Sequence, residues 1–291
     1  MRFALACMTL LLAAGPNMLA ATGETNRPVR PADRVQVGVC VDPDRFEAAK
    51  AAGFDYVEVN ASKIAALPDE DFQRAVRGAK DLGLPVPAAN VFIPAAIKLV
   101  GAEVDKARQE EHVARTLERL KGLGVRVVVF GSGGARRVPD GFSREEAFAQ
   151  LVDFCRRVAP IAGRNGITIV VEPLRRQETN IINTAREGLA LVKAVDRPEI
   201  KLLVDYYHLA EEGEDPAVIL EAGNQLAHVH VANPKGRVYP VSADESAYAP
   251  FFANLCKIGY AGRVSVEAST KDFAVDAPKA AAVVKALTTC R

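Results

Sequence analysis

The sequence predicts a single (β/α)8 barrel, an α/β fold in which each of eight parallel strands is followed by a helix. From Val35 onward, short runs rich in Val and Ile alternate with longer helical patterns, and eight such units fit into about 260 residues. Glycines that can end the preceding helices stand shortly before five predicted strands, at Gly53, Gly83, Gly124, Gly166 and Gly259. A doubly wound sheet is the alternative, but residues 40–44 after the first strand are not the glycine-rich phosphate loop that such a sheet needs.

Each unit carries its own local signals. Runs of β-branched residues predict the strands, whereas apolar periodicity predicts the helices, and a capping box from Ser143 to Glu146 marks the start of the fourth helix. The strands are predicted, in chain order, at residues 36–41, 56–60, 86–92, 125–130, 168–173, 201–205, 226–231 and 263–267. The helices are predicted at 43–52, 68–82, 103–123, 143–164, 184–195, from 216, at 245–258 and at 277–287.

The composition excludes several classes of protein. The 291 residues include 37 Lys and Arg against 36 Asp and Glu, so the chain has no general positive field that would attract nucleic acid. Hydrophobic residues make up 49% and charged residues 25%, which is typical of globular and not of disordered chains. Five cysteines are too few for a disulfide scaffold, and the sequence does not choose a pair among Cys40, Cys155, Cys256 and Cys290.

The first residues have the layout of a secretory signal peptide, not of a barrel strand. Arg2 precedes an apolar run over residues 3–14, and small residues around Ala21 offer a cleavage site. The run is too short to cross a membrane as a helix. We therefore expect an exported protein, periplasmic or secreted, with a signal peptide at 1–21, a flexible lead-in at 22–34 and a catalytic barrel at 35–291, and no membrane attachment after cleavage.

Polar side chains lie towards the carboxyl ends of the predicted strands, where a barrel of this type forms its active site. They are Glu58, Asn60, Asn90, Glu172, Asp205, His228, His230 and Glu267. A carboxylate at the end of an apolar strand is half-buried and needs a partner. For any one of them a salt bridge or a helix cap would suffice, but four on consecutive strands indicate one divalent metal, held by Glu172, Asp205, His230 and Glu267. These ligands favour Mn²⁺, with Mg²⁺, Co²⁺, Zn²⁺ and Fe²⁺ as alternatives.

The same residues resemble those of the xylose-isomerase-like TIM barrels, the sugar phosphate isomerase/epimerase superfamily, and most closely its ketose 3-epimerase branch. Glu172-Pro-Leu-Arg-Arg-Gln-Glu178 is similar to that branch's Glu-Pro-Leu-x-Arg-x-Glu segment. Asp205-Tyr-Tyr-His208 is similar to its Asp-x-x-His, and His228-Val-His230 with a downstream arginine, Arg237, to its His-x-His segment. Arg237 stands one residue later than in the family pattern, and the tryptophan that many ketose epimerases carry is missing.

The resemblance implies roles for individual residues. Glu172 and Glu267 would bind the metal and also exchange a proton with the two faces of a sugar, on the carbon next to its carbonyl, through an enediolate. Glu178, His208 and Arg237 would hold the substrate, and we expect Asn90 and Glu58 to contact it as well. The predicted function is thus metal-dependent isomerisation or epimerisation of a keto-sugar. Because phosphosugars are mainly cytoplasmic, the predicted export favours a non-phosphorylated one.

Three other functions are known for barrels of this type or could use one. An exported lyase or dehydratase of the same superfamily, acting on a keto-inositol or a 3-keto-glycoside, would use the same metal and the same proton abstraction. An endonuclease of the same barrel type would need more than four histidines and a basic groove. A carbohydrate-binding barrel without catalysis would not need both Glu172 and Glu267. The expected partner is a small sugar, not nucleic acid, and a homo-oligomer stays open.

A glycine-rich turn, Gly131-Ser-Gly-Gly134, runs into Arg136 and Arg137. Backbone N–H groups and two guanidinium groups could bind a carboxylate or phosphate there. The alternative is a loop whose arginines are solvated. The sequence leaves both interpretations open.

Overall fold

A computed structural model describes residues 34–290, and its eight strands close into a parallel barrel. The predicted signal peptide at 1–21 and the lead-in up to residue 33 lie outside the described residues. None of the helices between residues 34 and 290 is both long and apolar enough to span a bilayer. The predicted (β/α)8 barrel is confirmed, and the doubly wound alternative is excluded because β1 pairs with β8.

The strands follow one another around the barrel in chain order, each parallel to both neighbours. Strand β3 is shorter than its predicted span because Pro87 has no N–H for the ladder and Val91 adopts φ 52°, outside the extended region. The strands are β1 (Gln36–Cys40), β2 (Tyr56–Asn60), β3 (Ala88–Asn90), β4 (Val127–Phe130), β5 (Thr168–Val171), β6 (Ile200–Asp205), β7 (Leu226–Val231) and β8 (Arg263–Val266).

Eleven α-helices lie within residues 34–290. They are α1 (Phe46–Ala51), α2 (Ala61–Ala66), α3 (Asp69–Asp81), α4 (Lys106–Leu123), α5 (Gly133–Arg136), α6 (Arg144–Asn165), α7 (Ala185–Val195), α8 (Tyr206–Glu211), α9 (Val218–Ala222), α10 (Tyr248–Lys257) and α11 (Phe273–Leu287). Ser143 caps α6, as its sequence signal predicts. The last helix begins four residues earlier than predicted, since Asp272 caps it and Pro278 lies in its second turn.

Three short helices, α2, α5 and α8, were not predicted. Two of them start directly at a strand end and are capped by the last strand residue. Oδ1 of Asn60 accepts a bond from the backbone N–H of Lys63 (2.9 Å), and Oδ1 of Asp205 accepts one from Tyr207 (2.9 Å). Without a loop between strand and helix, no turn signal separates the two elements in the sequence.

Two apolar regions hold the barrel together. The larger packs the helices on the outside of the sheet, and the smaller fills the barrel below its carboxyl end. The inner cluster consists of Tyr56, Ala88, Val127, Val129, Val170 and Leu203. Gly38 makes room for it, because a Cβ there would lie 2.3 Å from the Tyr56 ring. The interior is thus packed up to the level at which the polar side chains begin.

A disulfide joins Cys256 at the end of α10 to Cys290, with 5.5 Å between their Cα atoms. The sequence does not choose this pair. Cys40 and Cys155 are free.

Candidate active site

Along each strand, every second side chain points into the barrel, and the site is made of these inward-pointing residues. Val170, Leu203 and Ser265 point into the barrel, and Glu172, Asp205 and Glu267 stand two residues further along the same strands. His230 likewise follows His228 on β7. The apolar layer therefore becomes a polar layer at the carboxyl end of the barrel.

The four residues predicted to bind a metal converge there. Glu172, Asp205, His230 and Glu267 each offer one ligand atom, and these atoms all lie within 4.8 Å of one another. Nδ1 of His230 is 3.2 Å from Oε1 of Glu172 and 3.4 Å from Oε2 of Glu267. The sequence prediction that these side chains meet at one point agrees with the geometry.

The cluster is strongly acidic and buried. Burial, and then the charge of Glu267, raise the pKa of Glu172. Burial and the charge of Glu172 raise the pKa of Asp205 to about 7. Burial opposes ionisation of Glu267 too, but His230 and Arg237 outweigh it and bring its pKa to about 2. Three ionised carboxylates around one point repel one another, and a divalent cation bound between them would offset this repulsion.

One oxygen of this cluster has no hydrogen-bond partner within residues 34–290. Oδ1 of Asp205 caps α8, whereas Oδ2 is buried and accepts no hydrogen bond. A buried carboxylate oxygen without a donor costs free energy unless something else binds it. The residues present therefore fit a divalent metal with oxygen ligands and one imidazole nitrogen.

His208 is presented to the same space in a fixed tautomer. Its Nδ1 accepts the backbone N–H of Arg175 at 3.2 Å, so the ring proton is on Nε2. Burial and then the charge of Arg237 lower the pKa of His208 to about 3, which keeps the ring neutral. Nε2 lies 3.7 Å from Oδ2 of Asp205 and 4.0 Å from Oε2 of Glu178, and it has no hydrogen-bond acceptor among the described residues. The site thus contains a buried N–H donor ready for a ligand.

Arg237 reaches the site from a tight turn after β7. Asn233 and Val238 pair across this turn, and Gly236 and Arg237 both take left-handed conformations, with φ 87° and 50°. The guanidinium donates to Oε2 of Glu267 (2.6 Å) and to Oε1 of Glu178 (3.3 Å). The turn therefore brings Arg237 to the predicted place despite its later position in the sequence.

The structure separates the two remaining predicted substrate residues. Asn90 lies at the site and donates from Nδ2 to Oε1 of Glu267 (2.7 Å). Glu58 lies one layer below, where its Cα is level with Ala88, whereas Asn60 is level with Asn90. Its side chain is 0% exposed, and its oxygens bind His230, His228 and Ser265. The geometry thus turns Glu58 towards the imidazole of His230 and away from the space that a substrate would enter.

Two interpretations of the glycine-rich turn fail for Arg136. The side chain is fully buried, so it is neither solvated nor open to an anion. It donates to the backbone oxygens of Phe130 (3.2 Å), Glu172 (2.8 Å) and Ile182 (3.3 Å). Arg136 therefore holds the ends of β4 and β5 together. Arg137 is exposed and donates to the backbone oxygen of Glu178 (2.9 Å).

Several residues of the site were not singled out from the sequence. The sequence names Gly131 only as part of the glycine-rich turn, whereas in the structure a Cβ there would lie 2.3 Å from Oε2 of Glu172. Cys40 at the end of β1 comes near Glu58 and His230. Tyr56 and Ser265 bind each other below the cluster (2.7 Å). The period of two could have found Tyr56 and Ser265, which precede Glu58 and Glu267 by two residues.

Comparison with known proteins gives consistent matches. The profile of the xylose isomerase-like TIM barrel family matches residues 46–290. The chain is 31% identical over 232 residues to an L-ribulose 3-epimerase from Methylomonas sp. (strain DH-1), covering 77% of either chain. It is 26% identical over 230 residues to a 3-dehydro-D-guloside 4-epimerase from Escherichia coli (strain K12), covering 77% of this chain and 86% of the other. The crystal structure of a D-allulose 3-epimerase from Methylomonas sp. in complex with D-allulose has a TM-score of 0.77 and 26% identity, over 87% of this chain and 97% of the other. The resemblance predicted from the sequence motifs is confirmed.

Proposed function

This chain belongs to the xylose isomerase-like TIM barrel family and is an epimerase or isomerase, and from that premise we propose a metal-dependent reaction on a non-phosphorylated keto-sugar. The observation that carries the proposal is the convergence of Glu172, Asp205, His230 and Glu267 within 4.8 Å. Relatives named as 3- and 4-epimerases of sugars support the reaction class.

The four converging side chains hold one divalent ion, with Mn²⁺ as the first candidate. When bound, the ion withdraws electron density from the sugar's carbonyl and hydroxyl oxygens and so favours the enediolate. Binding of the ion also offsets the repulsion among three buried carboxylates. Asp205 would hold the ion with Oδ2, since its other oxygen, Oδ1, caps α8.

Glu172 and Glu267 move the proton. They directly follow β5 and β8, which are three strands apart around the barrel, so their carboxylates approach the centre from different sides. One takes the proton from the carbon next to the carbonyl, and the other returns a proton to the opposite face, which inverts that centre. Return to the neighbouring carbon would instead exchange aldose and ketose.

Three side chains orient the sugar. The Nε2–H of His208 donates to a sugar oxygen, since it has no other acceptor in the described chain. Glu178 accepts from hydroxyl groups, and Arg237 fixes Glu178 and Glu267 relative to each other. The neutral His208 and the excess of carboxylates suit a polyhydroxylated, uncharged substrate more than a phosphorylated one.

A 3-keto-glycoside is the second candidate, whether it is epimerised or loses a leaving group. A cavity of about 690 Å³ lies between the loops that follow β3 and β4. It is lined in part by Arg137, whose guanidinium donates to the backbone oxygen of Glu178. Such a space could take the second half of a glycoside, and the relative named for a guloside supports this class.

The test is solvent-hydrogen exchange on the purified, manganese-loaded protein. We expect deuterium from D₂O to enter D-allulose or L-ribulose at C3, together with its epimer, and one metal ion per chain by elemental analysis. Glu172→Gln should abolish the exchange, and Glu111→Gln, an exposed glutamate on α4, is the matched control that should retain it. Exchange only into a 3-keto-glycoside would favour the second candidate, and activity that survives metal removal or Glu172→Gln would refute the mechanism.

Export is a separate proposal. The apolar run at residues 3–14 and the disulfide between Cys256 and Cys290 both support an oxidising compartment. Fractionation of the native host should find the protein outside the cytoplasm, beginning near Thr22. Full-length protein in the cytoplasmic fraction would contradict it.

A further inference from the structure

A chain of buried hydrogen bonds lies beneath the proposed metal site. Oγ of Ser265 donates to Oε2 of Glu58 (2.6 Å), and Nε2 of His228 lies 2.8 Å from the same oxygen. The hydroxyl groups of Tyr56 and Ser265 are 2.7 Å apart. Because Ser265 gives its only proton to Glu58, Tyr56 must be the donor to Ser265. These side chains are at most 1% exposed.

The other oxygen of Glu58 reaches His230. Oε1 of Glu58 lies 3.0 Å from Nε2 of His230, and an ionised carboxylate can only accept. Nε2 of His230 must therefore carry a proton. The opposite nitrogen, Nδ1, is the one that lies 3.2 Å from Glu172 and 3.4 Å from Glu267. The bond to Glu58 thus decides which nitrogen of His230 faces the metal ligands.

The Glu58 carboxylate is fully buried at a depth where burial of a charge costs free energy. The neighbouring inward positions of the barrel are apolar, among them Val129, Val170 and Leu203. A carboxylate in such surroundings is costly unless every lone pair finds a donor, and Glu58 has three donors. The three donors are Ser265, His228 and His230, and Tyr56 donates in turn to Ser265, so this carboxylate is held in one place.

We propose that Glu58 is a positioning residue that holds His230 with Nδ1 towards the metal, and that Ser265 and Tyr56 set the position of Glu58. This inference rests on the proposed metal-dependent function. It assigns Glu58 no contact with the substrate. His228 supports Glu58 from the side and does not enter the metal site, since its Nε2 is already bound and its ring lies a layer below.

Glu58→Gln is the informative change. A glutamine fills the same volume but has one acceptor oxygen in place of two. If that oxygen keeps Ser265 and His228, the amide NH₂ faces the N–H of His230, and two donors meet. His230 must then turn or move its proton to Nδ1, and either change takes a lone pair away from the metal. Loss of such an outer hydrogen bond typically weakens metal binding by about 10- to 100-fold.

The experiment measures Mn²⁺ affinity of the full-length protein by calorimetric titration, beside the ¹⁵N shifts of His230 in the protein loaded with diamagnetic Mg²⁺, since Mn²⁺ would broaden these signals. We expect Glu58→Gln to weaken Mn²⁺ binding by about 10- to 100-fold and to change the tautomer signature of His230. Tyr56→Phe should weaken binding by less. Its matched control is Tyr248→Phe, which removes another buried tyrosine hydroxyl and should leave Mn²⁺ binding unchanged; among residues 34–290 that hydroxyl binds only Glu245.

The outcomes separate this inference from the proposed function. Wild-type protein that binds no Mn²⁺ would refute both. Wild-type binding that persists with unchanged affinity and unchanged His230 shifts in a folded Glu58→Gln variant would refute only the role of Glu58. If Glu58→Gln does not fold, Ser265→Ala takes its place, with Thr116→Ala, another buried hydroxyl, as its control. Equal Mn²⁺ affinity in Ser265→Ala and wild type would then overturn the proposal.

Discussion

Nη2 of Arg237 lies 2.6 Å from Oε2 of Glu267, the same carboxylate oxygen that is 3.4 Å from Nδ1 of His230. Arg237 from a loop and His230 from the barrel wall thus meet at one carboxylate oxygen of Glu267. Nη1 of the same guanidinium reaches Glu178, and the ring of Tyr207 lies 4.7 Å from its centre. Arg237 is therefore fixed on three sides at the mouth of the site.

Arg237→Lys tests this bridge. An ammonium group is a single point charge and cannot hold Glu178 and Glu267 at once. We expect KM for the sugar to rise roughly tenfold or more, because one charged hydrogen bond is worth about 1.5–3 kcal/mol. Steady-state kinetics on the manganese-loaded protein would measure it, and an unchanged KM would show that the bridge does not orient substrate.

Gly131→Ala should inactivate with little effect on folding. The added methyl group would fall 2.3 Å from Oε2 of Glu172, so this carboxylate must move. A displacement of about 1 Å in a catalytic group can cost roughly 100-fold in rate. The control is Gly78→Ala on α3, where a Cβ meets nothing within 4 Å. Reaction rates and unfolding temperatures of both variants would be compared with those of the wild type. Full activity in Gly131→Ala would show that the reaction does not depend on the present position of the Glu172 carboxylate.

Arg136→Met should destabilise the barrel, whereas Arg137→Met should not. Loss of the buried guanidinium leaves the backbone oxygens of Phe130, Glu172 and Ile182 without this donor. The oxygens of Phe130 and Ile182 keep backbone N–H donors, from Glu172 and Leu174, whereas the oxygen of Glu172 loses its donor. One unsatisfied buried group costs about 1–3 kcal/mol, so the free energy of unfolding should fall by about that amount. Arg137 is exposed and serves as the control. Urea unfolding would compare the two variants, and equal midpoints would contradict a structural role for Arg136.

Cys256→Ser should lower stability only under oxidising conditions. The disulfide closes a segment of 34 residues, and the chain-entropy relation assigns such a loop about 3–4 kcal/mol. Reduction of the wild-type protein should lower its unfolding midpoint to that of the variant, and Cys290→Ser should match Cys256→Ser. Cys155→Ala, which removes a free thiol, should keep its response to reduction. A wild-type protein that is insensitive to reductant would speak against the bridge.

The sequence was most informative where local chemistry and position agree. Strand β7 spans Leu226–Val231, as its run of alternating residues predicts. The four proposed metal ligands could be predicted because parallel strands bring their carboxyl ends together. The sequence does not predict helices α2 and α8, because Asn60 and Asp205 each end a strand and cap a helix at the same time.

Depth inside the barrel was harder to predict. Glu58 and Asn90 both stand near strand ends, but the register pairs Glu58 with Ala88, which lowers Glu58 by one layer. Register depends on the twist and stagger of the closed sheet, which a single strand does not encode. Likewise, no residue pattern in the glycine-rich segment indicates that the side chain of Arg136 is buried.

The bond between Ser265 and Glu58 joins residues 207 positions apart, and it spans the seam at which β8 meets β1 and β2. Contacts of such high sequence separation form late, because most of the chain must already be ordered before the two ends can meet. A collapsed chain with seven units in place would lack Glu267 and would leave Glu58 without Ser265. Under the proposed function, manganese affinity would therefore report barrel closure and would distinguish the finished fold from a compact intermediate that has the same helices.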